Sequence, residues 1–170
     1  YKWLDRALKI CEKRNIDLLL YPHITFWMDN HQDALRLCKN LNHPNLGIVM
    51  TTVHWYLGNG SNVSRFLKET FPYTRKVHIA GSKRTPLGWG QIGTAQTLDS
   101  GELDNFAIIG GLKSLGYKGK FGAMMWEEGG DPYIKLKKSY EALTGMIERA
   151  EKYPNWTKHT FKSQGIDLAS

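Results

Sequence analysis

The stretch "NIDLLLYPHITFWMDN" at residues 15–30 decides the fold of this chain. Its three consecutive leucines, residues 18–20, form an apolar run of the kind found in strands that are buried on both faces of a sheet. The run ends in the sequence Tyr-Pro-His, and a proline costs little where the hydrogen-bonded ladder of a strand stops. We therefore predict a short buried strand over residues 16–21, with polar and aromatic side chains directly after its carboxyl end.

The same pattern recurs, because apolar strand-like segments alternate with helical ones along the chain. Strands alternating with helices predict a parallel sheet with crossover helices, in which functional groups lie at the carboxyl ends of the strands. We predict a loop over 82–103 and one domain over 1–150, followed by a tail over 151–170. The other predicted strands are 46–52, 75–80 and 119–126, and the predicted helices are 3–14, from about 30, 61–71, 103–116 and 131–152.

The composition is that of an ordinary globular protein, with 41% hydrophobic and 23% charged residues in a chain of 170. The net charge of +7 permits acidic partners without requiring them. No apolar run approaches the ~18 residues that cross a bilayer, so we expect no membrane partner. The sequence starts at Tyr1 rather than Met. From this we expect that a segment was removed or that the chain is part of a longer protein.

Three histidines fall at or just beyond the carboxyl ends of successive predicted strands: His23, His54 in "MTTVHWY" and His78 in "KVHIAG". Because these ends meet at one edge of a parallel sheet, the three side chains are expected to converge. An imidazole serves either as a metal ligand or as a proton carrier near neutral pH. Each histidine taken singly is more typical of a hydrogen-bonded structural residue.

Aromatic residues, including Trp27 and Trp55, crowd the same predicted edge. Aromatic faces beside polar groups suit sugar rings, which present apolar C–H faces. The alternative is that these side chains only cover the end of the sheet by packing. The sequence leaves both interpretations open.

Four segments, taken together, resemble the sugar phosphate isomerase/epimerase family with the xylose isomerase-like TIM barrel. The resemblance covers roughly residues 1–147 and implies a (β/α)8 TIM-barrel fold, of which this chain supplies about four β/α units, strands five to eight. The segments are "LYPHITFW" at 20–27, "PNLGIVMTTVHW" at 44–55, "KVHIAG" at 76–81 and "LDSGELDNFAIIGGLKSLGYKGKFG" at 98–122.

The family implies a divalent metal held by a Glu, an Asp, a His and a second Glu at the strand ends. In this sequence those positions fall at Tyr21, Thr51, His78 and Met124, so the resemblance implies a degenerate metal site. Hard cations prefer oxygen ligands. A remaining metal is therefore expected to be zinc, rather than manganese or magnesium, held by His78 with His54.

The resemblance also implies roles for other side chains. An Arg six residues after the histidine of the seventh barrel strand often contacts the substrate in this family, and Arg84 stands there. Proton transfer next to a sugar carbonyl would use His23, His54 or Glu127. Substrate contacts are assigned to Arg84, Trp55 and Trp27.

The first functional hypothesis is a sugar or sugar-phosphate isomerase/epimerase-like protein with a remodelled active site at the barrel mouth. The alternatives are a non-catalytic carbohydrate-binding pseudoenzyme and a nuclease similar to endonuclease IV. The expected partner is a small carbohydrate, and nucleic acid is not expected, because the carboxylates of a metal-dependent nuclease are absent. Four parallel strands leave two edges open, so we expect a homo-oligomer or a part of a longer chain.

Overall fold

The computed structural model describes residues 1–126 and 129–158, in which strands and α-helices alternate. This order confirms the predicted alternation. In chain order the elements are α1 (Lys2–Arg14), β1 (Leu18–Leu20), α2 (His31–Leu41), β2 (Leu46–Thr51), α3 (Thr52–Leu57), α4 (Val63–Thr70), β3 (Thr74–Ile79), β4 (Gly81–Trp89), β5 (Gly93–Gln96), α5 (Asn105–Ser114), β6 (Phe121–Ala123) and α6 (Pro132–Lys152).

Four strands form one parallel sheet in the order β1-β2-β3-β6. The register pairs Thr51 at the end of β2 with His78 on β3, and His78 with Gly122 on β6. The predicted α/β class with a parallel sheet is thus confirmed, and the sheet forms part of a barrel. Strands β1 and β6 are shorter than predicted, with three residues each.

Side-chain caps set the starts of several helices. Asn30 and Asn62 accept hydrogen bonds from the backbone N–H groups of the third residue after them, Asp33 and Arg65. Asp131 accepts from two backbone N–H groups of the first turn of α6. Such caps satisfy donors that have no partner within the helix. The caps therefore fix where α2, α4 and α6 begin.

The core lies on both sides of β2, which is buried along its whole length. On one side, Met50 and Val77 pack with residues of α3, α4 and α5. On the other side, Leu20 and Ile48 pack with residues of α1 and α2. This two-sided burial is the arrangement that the apolar runs predict for a parallel sheet. It holds the carboxyl ends of β1, β2 and β3 at one edge.

One prediction about this edge is wrong. Residues 82–103 contain an antiparallel hairpin, β4–β5, rather than a loop. The turn of the hairpin places Gly90 and Gln91 in the left-handed region, and Ser82 donates its hydroxyl to the carbonyl of Thr94. His54, expected at or just beyond the end of the second strand, lies in the short helix α3 that directly follows β2.

In the part of the chain that the structure describes, no helix has both the length and the apolar character needed to cross a bilayer.

Candidate functional site

His23 and His54 lie in ring contact at the carboxyl edge of the sheet. His23 follows β1 and His54 belongs to α3, and their ring centroids are 3.9 Å apart. The ring of Phe26 stacks on His23 at 4.1 Å. Nδ1 of His23 lies 2.7 Å from the carbonyl oxygen of Ile24, which only accepts. Nδ1 therefore donates, and in the neutral ring Nε2 keeps its lone pair.

Tyr21 links this pair to the third histidine. Its ring centroid lies 5.8 Å from that of His54 and 5.5 Å from that of His78. The Tyr21 hydroxyl is 3.5 Å from Nδ1 of His78, a long hydrogen bond. The structure therefore brings the three predicted histidines together around Tyr21. The catalytic roles assigned to His23 and His54, and the metal-binding role assigned to His54 and His78, stay predictions.

The pKa shifts of His54, His78 and Tyr21 favour the uncharged form of each group. Burial, with smaller contributions from the neighbouring His23 and His78, lowers the pKa of His54 to about 4. Burial, with a smaller contribution from Lys76, lowers the pKa of His78. Burial also raises the pKa of Tyr21, so its phenol keeps its proton. A neutral imidazole and a phenol exchange hydrogen bonds with hydroxyl groups and do not attract a hard cation.

A small pocket opens beside the His23–His54 pair. Its cavity volume is about 20 Å³, and a cavity of that size holds roughly one water molecule. The hairpin closes one side of the pocket, since Gly93 of β5 packs closely against Leu57 of α3. The contact leaves no room for a side chain, because a Cβ added at Gly93 would lie 2.4 Å from Leu57 Cδ2. The lining consists of His23, His54, Val53, Leu57, Gly93, Ala95, Met124 and Trp126.

A second group of polar contacts, around the buried side chain of His31, lies at the same edge. Thr51 is fully buried, and its hydroxyl donates to the carbonyl of Pro22 at 2.8 Å. Its backbone N–H donates to Nε2 of His31 at 3.2 Å. Burial lowers the pKa of His31 to about 3, with a further contribution from His54. We call His31, Thr51 and Pro22 the His31 network.

The sequence gives no signal that singles out His31. It follows the cap Asn30 at the start of α2, where a polar residue is ordinary. Its side chain is nevertheless 4% exposed. Among the residues that the structure describes, its Nδ1 has no hydrogen-bond partner. The role of His31 becomes visible only in the structure, where the start of α2 lies against the end of β2 and the Thr51 N–H donates to Nε2 of His31.

Arg84 makes contacts other than those predicted for it. Its Nη2 donates to the carbonyl oxygens of Tyr56, at 2.5 Å, and Gly60, at 3.2 Å. The guanidinium lies 4.3 Å from the centroid of the Tyr56 ring. A cation at the last carbonyl groups of a helix is favourable. Arg84 therefore supports the end of α3, and its contact with a substrate is not tested.

Neither of the two predicted tryptophans belongs to the lining of the pocket beside the His23–His54 pair. The ring of Trp55 stacks on Phe66 of α4, with centroids 4.4 Å apart and planes at 11°. Trp27 is 88% exposed. The structure instead places Trp126 in the pocket lining. The predicted catalytic residue Glu127 lies outside the described residues.

The residues at the family's metal positions do not fit a four-ligand site. Thr51 is engaged in the His31 network, and Met124 lines the pocket with a thioether. Within residues 1–126 and 129–158 no group of three or more His, Cys, Asp or Glu side chains is placed to hold a metal ion.

Parallel β/α units with polar groups at the carboxyl edge of the sheet define a protein of the β/α-barrel class. More narrowly, the chain belongs to the xylose isomerase-like TIM barrel family, whose model matches residues 1–152. This match confirms the resemblance at the level of the family. That the chain corresponds to strands five to eight stays a prediction.

Solved structures share the fold at low sequence identity. A D-tagatose 3-epimerase-like protein is 18% identical, with a TM-score of 0.68 over 88% of this chain and 53% of its own. An L-ribulose 3-epimerase is 15% identical, with a TM-score of 0.68 over 90% and 54%. The IolI protein with a bound zinc atom is 16% identical, with a TM-score of 0.68 over 86% and 54%.

This chain thus spans about half the length of the structures that it resembles. No curated protein sequence matches it significantly. At identities below 20% these likenesses show the fold. The activity of the chain has to be argued from its own residues.

Proposed function

We propose that the chain forms the carbohydrate-binding mouth of a sugar isomerase- or epimerase-like protein with a remodelled active site. The observation that carries this proposal is the ring contact of His23 and His54 beside Tyr21, in a pocket at the carboxyl edge of the sheet. Two of the similar structures are named as sugar epimerases or epimerase-like proteins, which supports the same class of ligand.

The chemistry proposed is the movement of one proton next to a sugar carbonyl. His23 takes the proton from carbon through Nε2, because its Nδ1–H is held by the carbonyl of Ile24. In an isomerisation, His23 returns the proton to the neighbouring carbon, and a hydroxyl proton moves between the two sugar oxygens, to which the neutral His54 hydrogen-bonds. In an epimerisation, His23 keeps the proton that it has taken, and the protonated carboxyl group of Glu127 supplies another to the opposite face of the same carbon.

A second candidate is a carbohydrate-binding protein without catalysis. The observation in its favour is that Thr51, at the family's Asp position, is fully buried and bonded to Pro22 and His31. At the position where the family resemblance places a metal ligand, this chain carries a residue that stabilises the fold. The same pocket would then bind a sugar and leave its carbon-bound protons in place.

Proton exchange separates the two candidates. The purified chain is incubated with L-ribulose or D-tagatose in D2O, and NMR spectroscopy records binding and the entry of deuterium at carbon. For the enzyme we expect binding and exchange in the native chain and in a control, His43→Ala, with exchange lost in His23→Ala. Binding without exchange supports the second candidate. No binding of either sugar contradicts both.

We also propose that the two sheet edges, β1 and β6, are covered in the working protein by a second copy or by a further segment of a longer chain. Exposed apolar residues flank both edges, with Trp3 79% and Ile10 53% exposed on α1. On α6, Tyr133 is 75% and Tyr140 70% exposed. Unpaired strands and apolar patches favour association. Sedimentation showing a stable 19.4 kDa monomer would contradict this proposal.

A further inference from the structure

We infer that α6 pairs with α6 of a second copy of this chain, as two antiparallel helices related by a two-fold axis. This inference rests on the proposed covering of the sheet edges and narrows it to one partner and one surface. It is carried by the spacing of the apolar residues of α6, by their exposure and by the distribution of charge along the helix.

The apolar residues of α6 follow the seven-residue repeat of helices that pair along their length. They recur at alternating intervals of three and four residues, which places them in one stripe along the helix surface. The stripe runs through the whole of α6, which has 21 residues. We call the following residues the α6 stripe: Tyr133, Leu136, Tyr140, Leu143, Ile147 and Ala150.

The first half of the α6 stripe is exposed, whereas the second half is partly covered by the core. Tyr133 is 75%, Leu136 50% and Tyr140 70% exposed. Leu143 and Ile147 are partly buried and pack against core residues of β3 and α5. Tyrosine is enriched in protein–protein interfaces, and apolar side chains that lie together on a surface are typical of an interaction site.

Contacts on the other face of α6 fix the rotation of the helix about its own axis. The Ser139 hydroxyl accepts a hydrogen bond from the backbone N–H of Leu98 at 3.2 Å. Ala142 and Met146 pack against core residues of β3 and α5. The helix therefore cannot turn to bury the exposed half of the α6 stripe without breaking these contacts, so a partner has to cover that half.

The charge of α6 reverses along its length. Residues 132–140 carry three lysines and no acidic residue, while residues 141–152 carry three glutamates against one arginine and one lysine. In a parallel pair, the two lysine-rich halves would lie side by side and repel each other. An antiparallel pair places each lysine-rich half beside the glutamates of the other copy. The same helix thus supplies both complementary halves, which favours a second copy as the partner.

The antiparallel arrangement also joins the exposed half of one α6 stripe to the partly covered half of the other. When Tyr140 lies level with Leu143 of the partner subunit, Leu136 lies level with Ile147 of the partner subunit. A helix of 21 residues is about 31 Å long, so the contact is smaller than a standard interface. We therefore expect a dissociation constant on the order of 10 μM.

Sedimentation equilibrium of the full chain, over about 1–200 μM, measures this association. We expect Tyr140→Glu to weaken it by at least about 100-fold, because the pairing would bury a carboxylate in the α6 stripe. Trp3→Glu is the matched control, since Trp3 is an exposed aromatic residue on α1, and should leave the dissociation constant unchanged. Circular dichroism checks that each variant is folded. If Tyr140→Glu does not fold, Tyr133→Glu replaces it, with the same expectation.

Cross-linking tests the direction of the helices. The two copies of Tyr140 would lie within about 5 Å of each other along the helix axis, and the two copies of Tyr133 about 26 Å apart. A short bis-maleimide reagent should therefore join two Tyr140→Cys chains and leave two Tyr133→Cys chains separate. The unmodified chain is the blank, because Cys11 and Cys38 are buried.

The outcomes separate this inference from the association that it builds on. A chain that stays monomeric over the whole range overturns both. A dimer that Tyr140→Glu leaves intact, or that Trp3→Glu dissociates instead, overturns the inference and leaves association standing. Cross-linking of Tyr133→Cys as readily as of Tyr140→Cys would show a parallel pair and overturn the antiparallel arrangement.

Discussion

Two histidine groups lie at the same edge of the sheet and differ in their contacts. In the His31 network, the imidazole is 4% exposed and accepts a hydrogen bond from the end of β2. The His23–His54 pair lies in ring contact and lines a pocket, although His54 is itself only 2% exposed. The contrast teaches that hydrogen-bond partners and a position beside a pocket, rather than residue type or burial, decide whether an imidazole supports the fold or meets a ligand.

Thr51 explains why the two groups are so close. It ends β2 at the position where the family resemblance places an Asp ligand. Its hydroxyl donates to Pro22, the residue directly before His23, and its N–H donates to His31. Thr51 is therefore a buried link between the segment after β1 and the end of β2. The His31 network thereby holds the backbone on which His23 stands.

The largest difference between the groups is expected in stability. His31→Ala should lower the free energy of unfolding by about 2–4 kcal/mol, since it leaves a cavity and a buried N–H without an acceptor. His23→Ala should cost about 1 kcal/mol or less, because its side chain is only partly buried. Urea unfolding of both variants measures the difference.

His43→Ala is the control for this pair of variants, as His43 is partly buried and accepts one backbone hydrogen bond, from Asn45. Its cost should resemble that of His23→Ala. Equal losses of unfolding free energy in His31→Ala and His23→Ala would show that the His31 network stabilises the fold no more than the His23–His54 pair does.

The pH dependence of stability should report the buried histidines of both groups. The folded-state pKa of His31 is about 3 and its ordinary value is 6.5, so the unfolded chain binds a proton first as the pH falls. Stability is therefore full above about pH 6.5, declines as the pH falls from there, and this loss is complete near pH 3. The slope is up to about 1.4 kcal/mol per pH unit for each such histidine.

Unfolding between pH 6.5 and 5 isolates this effect, because few carboxylates change charge there. His54, with a pKa of about 4, contributes in the same direction. We expect His31→Gln to flatten the slope in that interval, with His43→Gln as the control that retains it. An unchanged slope in His31→Gln would show that His31 titrates alike in the folded and unfolded chain.

The sequence predicts the main sheet well because its strands carry apolar residues and lie between segments of helical pattern. Residues 46–52 and 75–80 closely match β2 and β3. The hairpin β4–β5 was missed because its strands are rich in Gly, Thr and Ser and pair with each other rather than with the sheet. Such strands lack the apolar period that marks a buried strand.

The candidate site was predictable only in part, for a related reason. The positions of His23, His54 and His78 after strands are visible along the chain, and the structure brings them together around Tyr21. The contact of His31 with Thr51 joins residues twenty positions apart through the geometry of the α2–β2 unit. No local sequence pattern predicts this contact, because His31 is an ordinary residue for the first turn of a helix.

A smaller loss of stability is expected at Arg84, which supports the helix that carries His54. Arg84→Met keeps much of the aliphatic length but removes the hydrogen bonds to the end of α3, the helix that carries His54. We expect a loss of about 1–2 kcal/mol in unfolding free energy. Lys83→Met is the matched control and should cost less than about 1 kcal/mol, since its ion pair is exposed. Equal costs would show that Arg84 does not support α3.

The smallest effects on stability are expected from metal ions, which would bind beside the His23–His54 pair rather than at the His31 network. The described residues offer neutral nitrogen at His54 and His78 and no carboxylate set. Magnesium and manganese should therefore change the melting temperature by less than about 1 °C. Zinc should raise it by a few degrees, roughly, and His78→Ala should remove that rise. His43→Ala is expected to retain it.

A different outcome would redraw the site itself. Tight manganese binding that is lost in Glu127→Gln or Glu128→Gln would mean that one of these carboxylates, rather than Met124, stands at the family's last metal position. The alignment of the last strand would then shift by about three residues, and an oxygen ligand would complete a site beside His78. Metal content measured by mass spectrometry, on protein purified without chelators, decides between the two arrangements. Zinc alone, lost with His78→Ala, would instead support a site built from imidazole groups, next to a His31 network that no metal reaches.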